Sequence, residues 1–262
     1  KGDLVFEDAT EKAKVGTSKW ANGAVMVDIN HDGLTDIYVC MGGNRNTPEP
    51  DRANLFFINN GNGTFTESAD KFGLADTGYA IQSAFFDYDR DGDLDVYLLR
   101  NSFVDYHRNA SRPKSVNGEA YSTDRLFRNN GDLTFTDVSR EAGILIEGFG
   151  LGVEIADIND DGWPDIYVSN DFITNDLLYV NNGDGTYSEV GQFAGVSNTD
   201  WSWAPLLADF DNDGYKDLFI TNGIMGRPND LDYINFISRE SSQRYLSDSQ
   251  LTEQMPSGKV PN

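Results

Sequence analysis

Asp28-Ile-Asn30-His-Asp32-Gly33-Leu-Thr-Asp36 decides the fold, because the chain repeats its pattern three more times. Asp87-Tyr-Asp89-Arg-Asp91-Gly92-Asp-Leu-Asp95, Asp157-Ile-Asn159-Asp-Asp161-Gly162-Trp-Pro-Asp165 and Asp209-Phe-Asp211-Asn-Asp213-Gly214-Tyr-Lys-Asp217 are the other copies. Each carries oxygen side chains at positions 1, 3, 5 and 9 and glycine at position 6. Alternating residues on a tightly turning loop aim their oxygens at one point, which suits the large coordination shell of Ca²⁺. The glycine permits the turn, since a positive φ carries no steric penalty there. The backbone carbonyls of position 7, from Leu34, Asp93, Trp163 and Tyr215, are expected to complete each set.

The first half of the loop also fits an EF-hand, which needs a bidentate Glu at position 12 and flanking helices. Position 12 is Val39, Leu98, Val168 or Ile220. The following runs, such as Asp36-Ile-Tyr-Val39 and Asp95-Val-Tyr-Leu98, are β-branched and aromatic and read as strands. The EF-hand is rejected. A calcium loop between two strands takes its place, with an acidic turn that binds nothing as the plainer alternative.

Three hairpin-like stretches accompany the loops: Asn54-Leu-Phe-Phe-Ile-Asn-Asn-Gly-Asn-Gly-Thr-Phe-Thr-Glu67, Arg125-Leu-Phe-Arg-Asn-Asn-Gly-Asp-Leu-Thr-Phe-Thr-Asp137 and Leu177-Leu-Tyr-Val-Asn-Asn-Gly-Asp-Gly-Thr-Tyr-Ser-Glu189. An apolar run, an Asn-Gly or Asp-Gly turn and an alternating strand form a β-hairpin. The unit is therefore strand, calcium loop, strand, connection, strand, turn, strand. Loop starts lie 59, 70 and 52 residues apart, and four antiparallel strands repeating at such intervals predict β-propeller blades. Short inner strands are expected at Gly23–Val27, Ala84–Phe86, Gly152–Ala156 and Leu206–Ala208, covered on both faces by neighbouring blades. The opening Leu4–Val15 matches the outer strand and tail after each hairpin, so the chain is expected to begin with the last strand of a blade.

The repeats resemble the FG-GAP/VCBS repeats, the calcium-loop blades also found in integrin α-subunit propellers. In character they are most similar to the secreted cartilage-acidic-protein (ASPIC/UnbV) group, over roughly residues 3 to 227. The resemblance implies a seven-bladed propeller, of which this chain supplies about four blades. Either further chain or a partner is then expected to cover the open flanks. Residues 1–228 are expected to form the propeller segment. Residues 229–262 are expected to form an amphipathic helix from Asp230 to about Leu246 and a polar tail leading into a further portion.

Composition narrows the partners. A net charge of −23 excludes nucleic acid, whose phosphates want the opposite field. The loop ligand positions hold fourteen of the 43 acidic residues, and four bound Ca²⁺ leave a net −15. Millimolar calcium is an extracellular condition, so an extracellular or cell-surface setting is expected, secreted or attached at an outer membrane. Cys40 is the single cysteine and forms no intrachain disulfide; it reads as a buried, inert thiol. No stretch approaches the roughly 18 apolar residues of a membrane span, and Lys1-Gly-Asp-Leu shows no signal-peptide pattern.

No catalytic constellation is legible, so the chain is read as a non-enzyme. His31 occupies loop position 4, a solvated spacer. His107, Arg108, Arg112 and Lys114 form the one locally basic stretch, inside the long connection Asn101–Thr123, and mark a candidate partner loop. Gly42–Arg52 is the next. Trp163, Trp201 and Trp203 allow a sugar-stacking reading, with packing the favoured account of Trp203. The expected function is a calcium-stabilised binding or scaffold module with about four structural ions and a protein or glycan partner. A carbohydrate-active enzyme or lectin-like accessory domain is the alternative.

Overall fold

The computed structural model describes residues 5–102, 104, 112–171, 174–199, 201–223, 236 and 247–253. Within them the chain is all-β, with three four-stranded antiparallel sheets and one two-stranded sheet. Sheet one holds β1 (Ala21–Val27), β2 (Asp36–Met41), β3 (Leu55–Asn59) and β4 (Phe65–Glu67). Sheet two holds β5 (Ala80–Phe86), β6 (Asp95–Arg100), β7 (Arg125–Asn129) and β8 (Phe135–Asp137). Sheet three holds β9 (Gly150–Ala156), β10 (Asp165–Asn170), β11 (Leu177–Asn181) and β12 (Tyr187–Glu189). The two-stranded sheet pairs β13 (Ser202–Ala208) with β14 (Asp217–Asn222). One-turn helices α1 (Thr10–Ala13), α2 (Ala69–Phe72), α3 (Ser139–Ala142) and α4 (Gly191–Ala194) each precede the first strand of a sheet. A last helix, α5, covers Asp248–Glu253. No helix among the described residues is long and apolar enough to cross a membrane.

The strand order within each sheet is sequential, and that fixes two functional ends. The acidic loops and the hairpin turns fall at one end of the strands. The connections from second to third strand, and from one sheet to the next, fall at the other. First strands β1, β5, β9 and β13 lie side by side. The approach is close: a Cβ added at Gly152 would sit 2.8 Å from the Trp203 carbonyl oxygen and 2.7 Å from Pro205 Cδ. Gly152→Ala is therefore expected to lower stability by about 1–3 kcal/mol through backbone displacement. An unchanged urea midpoint for that variant would contradict the close approach.

Alternating faces of each second strand serve two neighbours. Val96 and Leu98 of β6 join Tyr38, Cys40 and Phe56 of sheet one in one core cluster. Tyr97 and Leu99 join Ile166, Val168 and Tyr179 of sheet three in the next. Tyr38 meets Phe56 and Phe85 edge-on at 5.5 and 5.6 Å, a favourable quadrupole arrangement. Cys40 is buried and free, and burial pushes its thiol up to about 12, in keeping with an inert role. A recurring pin closes each sheet at the connection end. Asn54, Asp124 and Asp176 accept the backbone amides of Met41, Arg100 and Asn170 and bond the hydroxyls of Tyr38, Tyr97 and Tyr167.

Several expectations are corrected. The inner strands start earlier than the apolar runs suggested and are seven residues long, because a register shift near the start absorbs one or two residues. Residues Val5–Ala9 form no strand, although α1 follows them as α2 to α4 follow β4, β8 and β12. An outer strand needs a third strand to pair with, and no described residue supplies one; Phe6 is 90% exposed. Double-sided cover holds for sheets two and three, while β1 and the β13–β14 sheet keep open faces. Trp203 consequently lies 47% exposed rather than in a packed interface. The amphipathic helix expected to about Leu246 lies outside the described residues, apart from Phe236.

Candidate metal centres

The four acidic loops share one hydrogen-bond scheme. The Asp at position 1 (Asp28, Asp87, Asp157, Asp209) accepts the amide of position 5 at 3.1 Å in every copy. Its second oxygen accepts the glycine amide of position 6, at 2.7 to 3.0 Å. The Asp at position 5 (Asp32, Asp91, Asp161, Asp213) accepts the amide of position 7. Positions 4 and 6 are both left-handed, with φ of 55 to 62° at His31, Arg90, Asp160 and Asn212. This winding turns positions 1, 3 and 5 inward. It also leaves the solvated position 4 outside, as expected for the exposed His31.

Position 9 opens the second strand and holds backbone amides on both sides of the loop. Asp36, Asp95 and Asp165 are fully buried. One oxygen accepts the amide of position 2 (Ile29, Tyr88, Ile158), and the other accepts the last amide of the third strand (Asn59, Asn129, Asn181). Those asparagines in turn donate to the position-8 carbonyls of Thr35, Leu94 and Pro164. The hairpin thus clamps the loop. Asn59, Asn129 and Asn181 were legible only as turn residues; their signal was the repeated Asn-Asn-Gly. Position-7 side chains lie over the hairpin turn, Leu34 beside Gly61 and Trp163 beside Gly183. Arg90 of the second loop stacks on Trp163 of the third at 5.2 Å.

The loops separate by position 3. In the second, oxygens of Asp87, Asp89 and Asp91 converge within 4.8 Å, and in the fourth those of Asp209, Asp211 and Asp217 do. In the first and third, the amide nitrogens of Asn30 and Asn159 donate to Asp32 and Asp161 and relieve the repulsion internally. Asp89 Oδ1 is buried with no partner at all. A buried carboxylate oxygen facing two further carboxylates is a strong demand for a cation. Oxygen-only donors in this number fit a hard ion such as Ca²⁺.

Burial, with the nearby acids, pushes Asp95 up to about 7 against the lowering effect of its two amide bonds. Burial likewise raises Asp36, Asp89 and Asp165. For a raised carboxylate the metal-free fold holds a proton that the unfolded chain releases. That stability is full below the ordinary carboxylate range and is lost as pH rises through about 7. A bound cation requires the ionised form, so calcium binding at this loop is expected to release protons and tighten from about pH 6 to about pH 8. Calorimetry in buffers of different ionisation enthalpy counts those protons; a pH-independent affinity would sink the assignment of Asp95.

Of the basic candidates, His107 and Arg108 lie outside the described residues. Arg112 is held by Glu147 through two parallel contacts of 2.8 and 2.9 Å, with Glu147 buried. Its charge serves the loop's own anchorage. Lys114 is exposed.

A model of the FG-GAP-like repeat matches residues 42–98, 115–168 and 157–220. Human cartilage acidic protein 1 is 34% identical over 93 residues, which cover 35% of this chain and 14% of that protein. A solved lectin structure from Agrocybe aegerita, described as recognising non-reducing terminal N-acetylglucosamine, aligns over 77% of this chain and 60% of its own. Its sequence identity is 19% and its TM-score 0.29.

Proposed function

Because the chain belongs to the FG-GAP-like repeat family, we propose that it is a calcium-stabilised segment of a β-propeller serving as a binding or scaffold module outside the cell. Residues 1–228 form the propeller part in this reading, about four of seven blades, and 229–262 a separate tail. The observation that carries it is the convergence of acids in loops two and four, with Asp89 Oδ1 buried and without a hydrogen-bond partner. Each ion would be held by positions 1, 3, 5 and 9 and the position-7 carbonyl, where it supplies charge neutralisation. The loops' own residues fix their shape, and the hairpin asparagines transmit that shape to the sheet. An extracellular setting fits the calcium demand and a relative named for cartilage. The role of the ions is structural, and partner contact falls on the connection end, away from the metals.

Calorimetric calcium titration tests this reading. Four sites are expected, with loops two and four the tighter pair because they carry four ligand carboxylates rather than three. Asp89→Asn should weaken its site by about tenfold, roughly 1.4 kcal/mol. In chelator the same change should raise the melting temperature, since it relieves the repulsion of Asp89 by Asp87 and Asp91. Absence of calcium binding, or an Asp89→Asn protein less stable than the parent in chelator, would refute the proposal.

A further inference from the structure

At the connection end a cleft of about 240 Å³ opens between sheets one and two. Strands of six residues put it about 20 Å from the metal loops. Three arginines from separate segments line it: Arg52 from the 3₁₀ turn Glu49–Arg52, Arg100 from the end of β6, and Arg125 from the start of β7. Arg52 and Arg100 are each at least nine-tenths buried, and the Nε of each lacks a hydrogen-bond partner. Arg52 donates to the Thr77 carbonyl and stacks 4.1 Å over the Tyr79 ring. Arg100 pairs with Asp76. Arg125 donates to the carbonyls of Thr123, Asp124 and Gly118, and its Nε stands 3.4 Å from Asp137. Burial first, and Arg100 next, lower the proton affinity of Arg125, although Asp137, Asp76 and Asp124 act the other way. Asp76 and Asp137 stand beside Arg100 and Arg125, whereas among the described residues Arg52 meets a carbonyl and a ring but no carboxylate.

The remaining lining narrows the ligand. Glu49, which accepts the Thr77 hydroxyl, and Glu119 are exposed carboxylates that line the same cleft. A bare phosphate would be repelled by both, and a neutral sugar would leave Arg52 without a carboxylate. Tyr121 presents a ring that is 51% exposed, edge-on to Tyr79 at 6.4 Å. Tyr79 itself is held at φ 62°, a strained conformation for a bulky residue that places its ring beneath Arg52. A ligand must therefore combine a carboxylate, hydrogen-bond donors and a flat apolar face. The volume lies below the range of drug-sized sites.

We propose that this cleft binds a uronic-acid unit of an acidic saccharide. The carboxylate meets the Arg52 guanidinium, ring hydroxyls donate to Glu49 and Glu119, and the C–H face of the sugar rests on Tyr121. The inference rests on the binding-module reading and names its ligand class. The test is calorimetry and amide NMR on the full chain in fixed excess calcium, titrated with glucuronate, glucose, phosphate and glycine. Glucuronate is expected to saturate, perturbing Gly78, Gly118 and Tyr121, with each other probe at least tenfold weaker. Tyr121→Ser and Glu119→Gln alter exposed side chains and should each weaken glucuronate several-fold with the melting curve unchanged. Absence of saturation, equal binding of glucose or phosphate, preference for glycine, or indifference to both variants would overturn the proposal. If calcium still stabilises the fold in that case, only the saccharide assignment falls.

Discussion

Chelation of calcium is expected to lower the melting temperature by about 20 °C while leaving the native secondary structure in place at room temperature. Ligand at a hundredfold excess over Kd adds about 2.7 kcal/mol per site. For a chain of this size each kcal/mol moves the midpoint by about 2–4 °C. Four independent sites thus reach the stated shift even at the lower conversion. Persistence of the metal-free fold follows from the loops themselves, whose position-1 and position-5 carboxylates already accept backbone amides. Cys40 offers no covalent substitute for the metal. Thermal melts by circular dichroism, with and without chelator, make the measurement. An unchanged midpoint after verified metal loss would end the structural-calcium account. Collapse of the spectrum at room temperature would show that the internal bonds hold less than assigned here.

Asp95→Ala is expected to destabilise the protein by about 2–6 kcal/mol even in chelator. The variant strands two amides, those of Tyr88 and Asn129, at about 1–3 kcal/mol for each unsatisfied buried group. Asp91→Ala is the control. Asp91 is exposed and accepts only the Asp93 amide, also in an exposed setting. Its loss in chelator should stay near 1 kcal/mol or below, yet both variants should weaken calcium at the same loop. Urea denaturation in chelator separates the two roles. Equal losses would mean that position 9 is a ligand and nothing more.

Much of this molecule is local, and local features are legible. The nine-residue loops are set by contacts spanning at most seven residues, such as the Asp95 bond to the Tyr88 amide. The strands that follow them announce themselves by β-branched and aromatic runs. The alternation of Val96 and Leu98 toward one neighbour with Tyr97 and Leu99 toward another also follows from the two-residue period of a strand. The opening segment was misread for the same reason in reverse. Its pattern matches an outer strand, but a strand exists only where a partner offers the other half of the hydrogen bonds.

The sequence by itself determined the four acidic loops, the antiparallel unit and its repetition, because spacing along the chain is enough to wind the loops and alternate faces. Only the tertiary structure decided that position 9 also clamps the hairpin and that Arg112 is committed to Glu147, 35 residues away. It alone brought Arg52, Arg100 and Arg125 to one cleft. Each depends on groups brought together across sheets or long connections, where no periodicity in the chain records which side chains will meet.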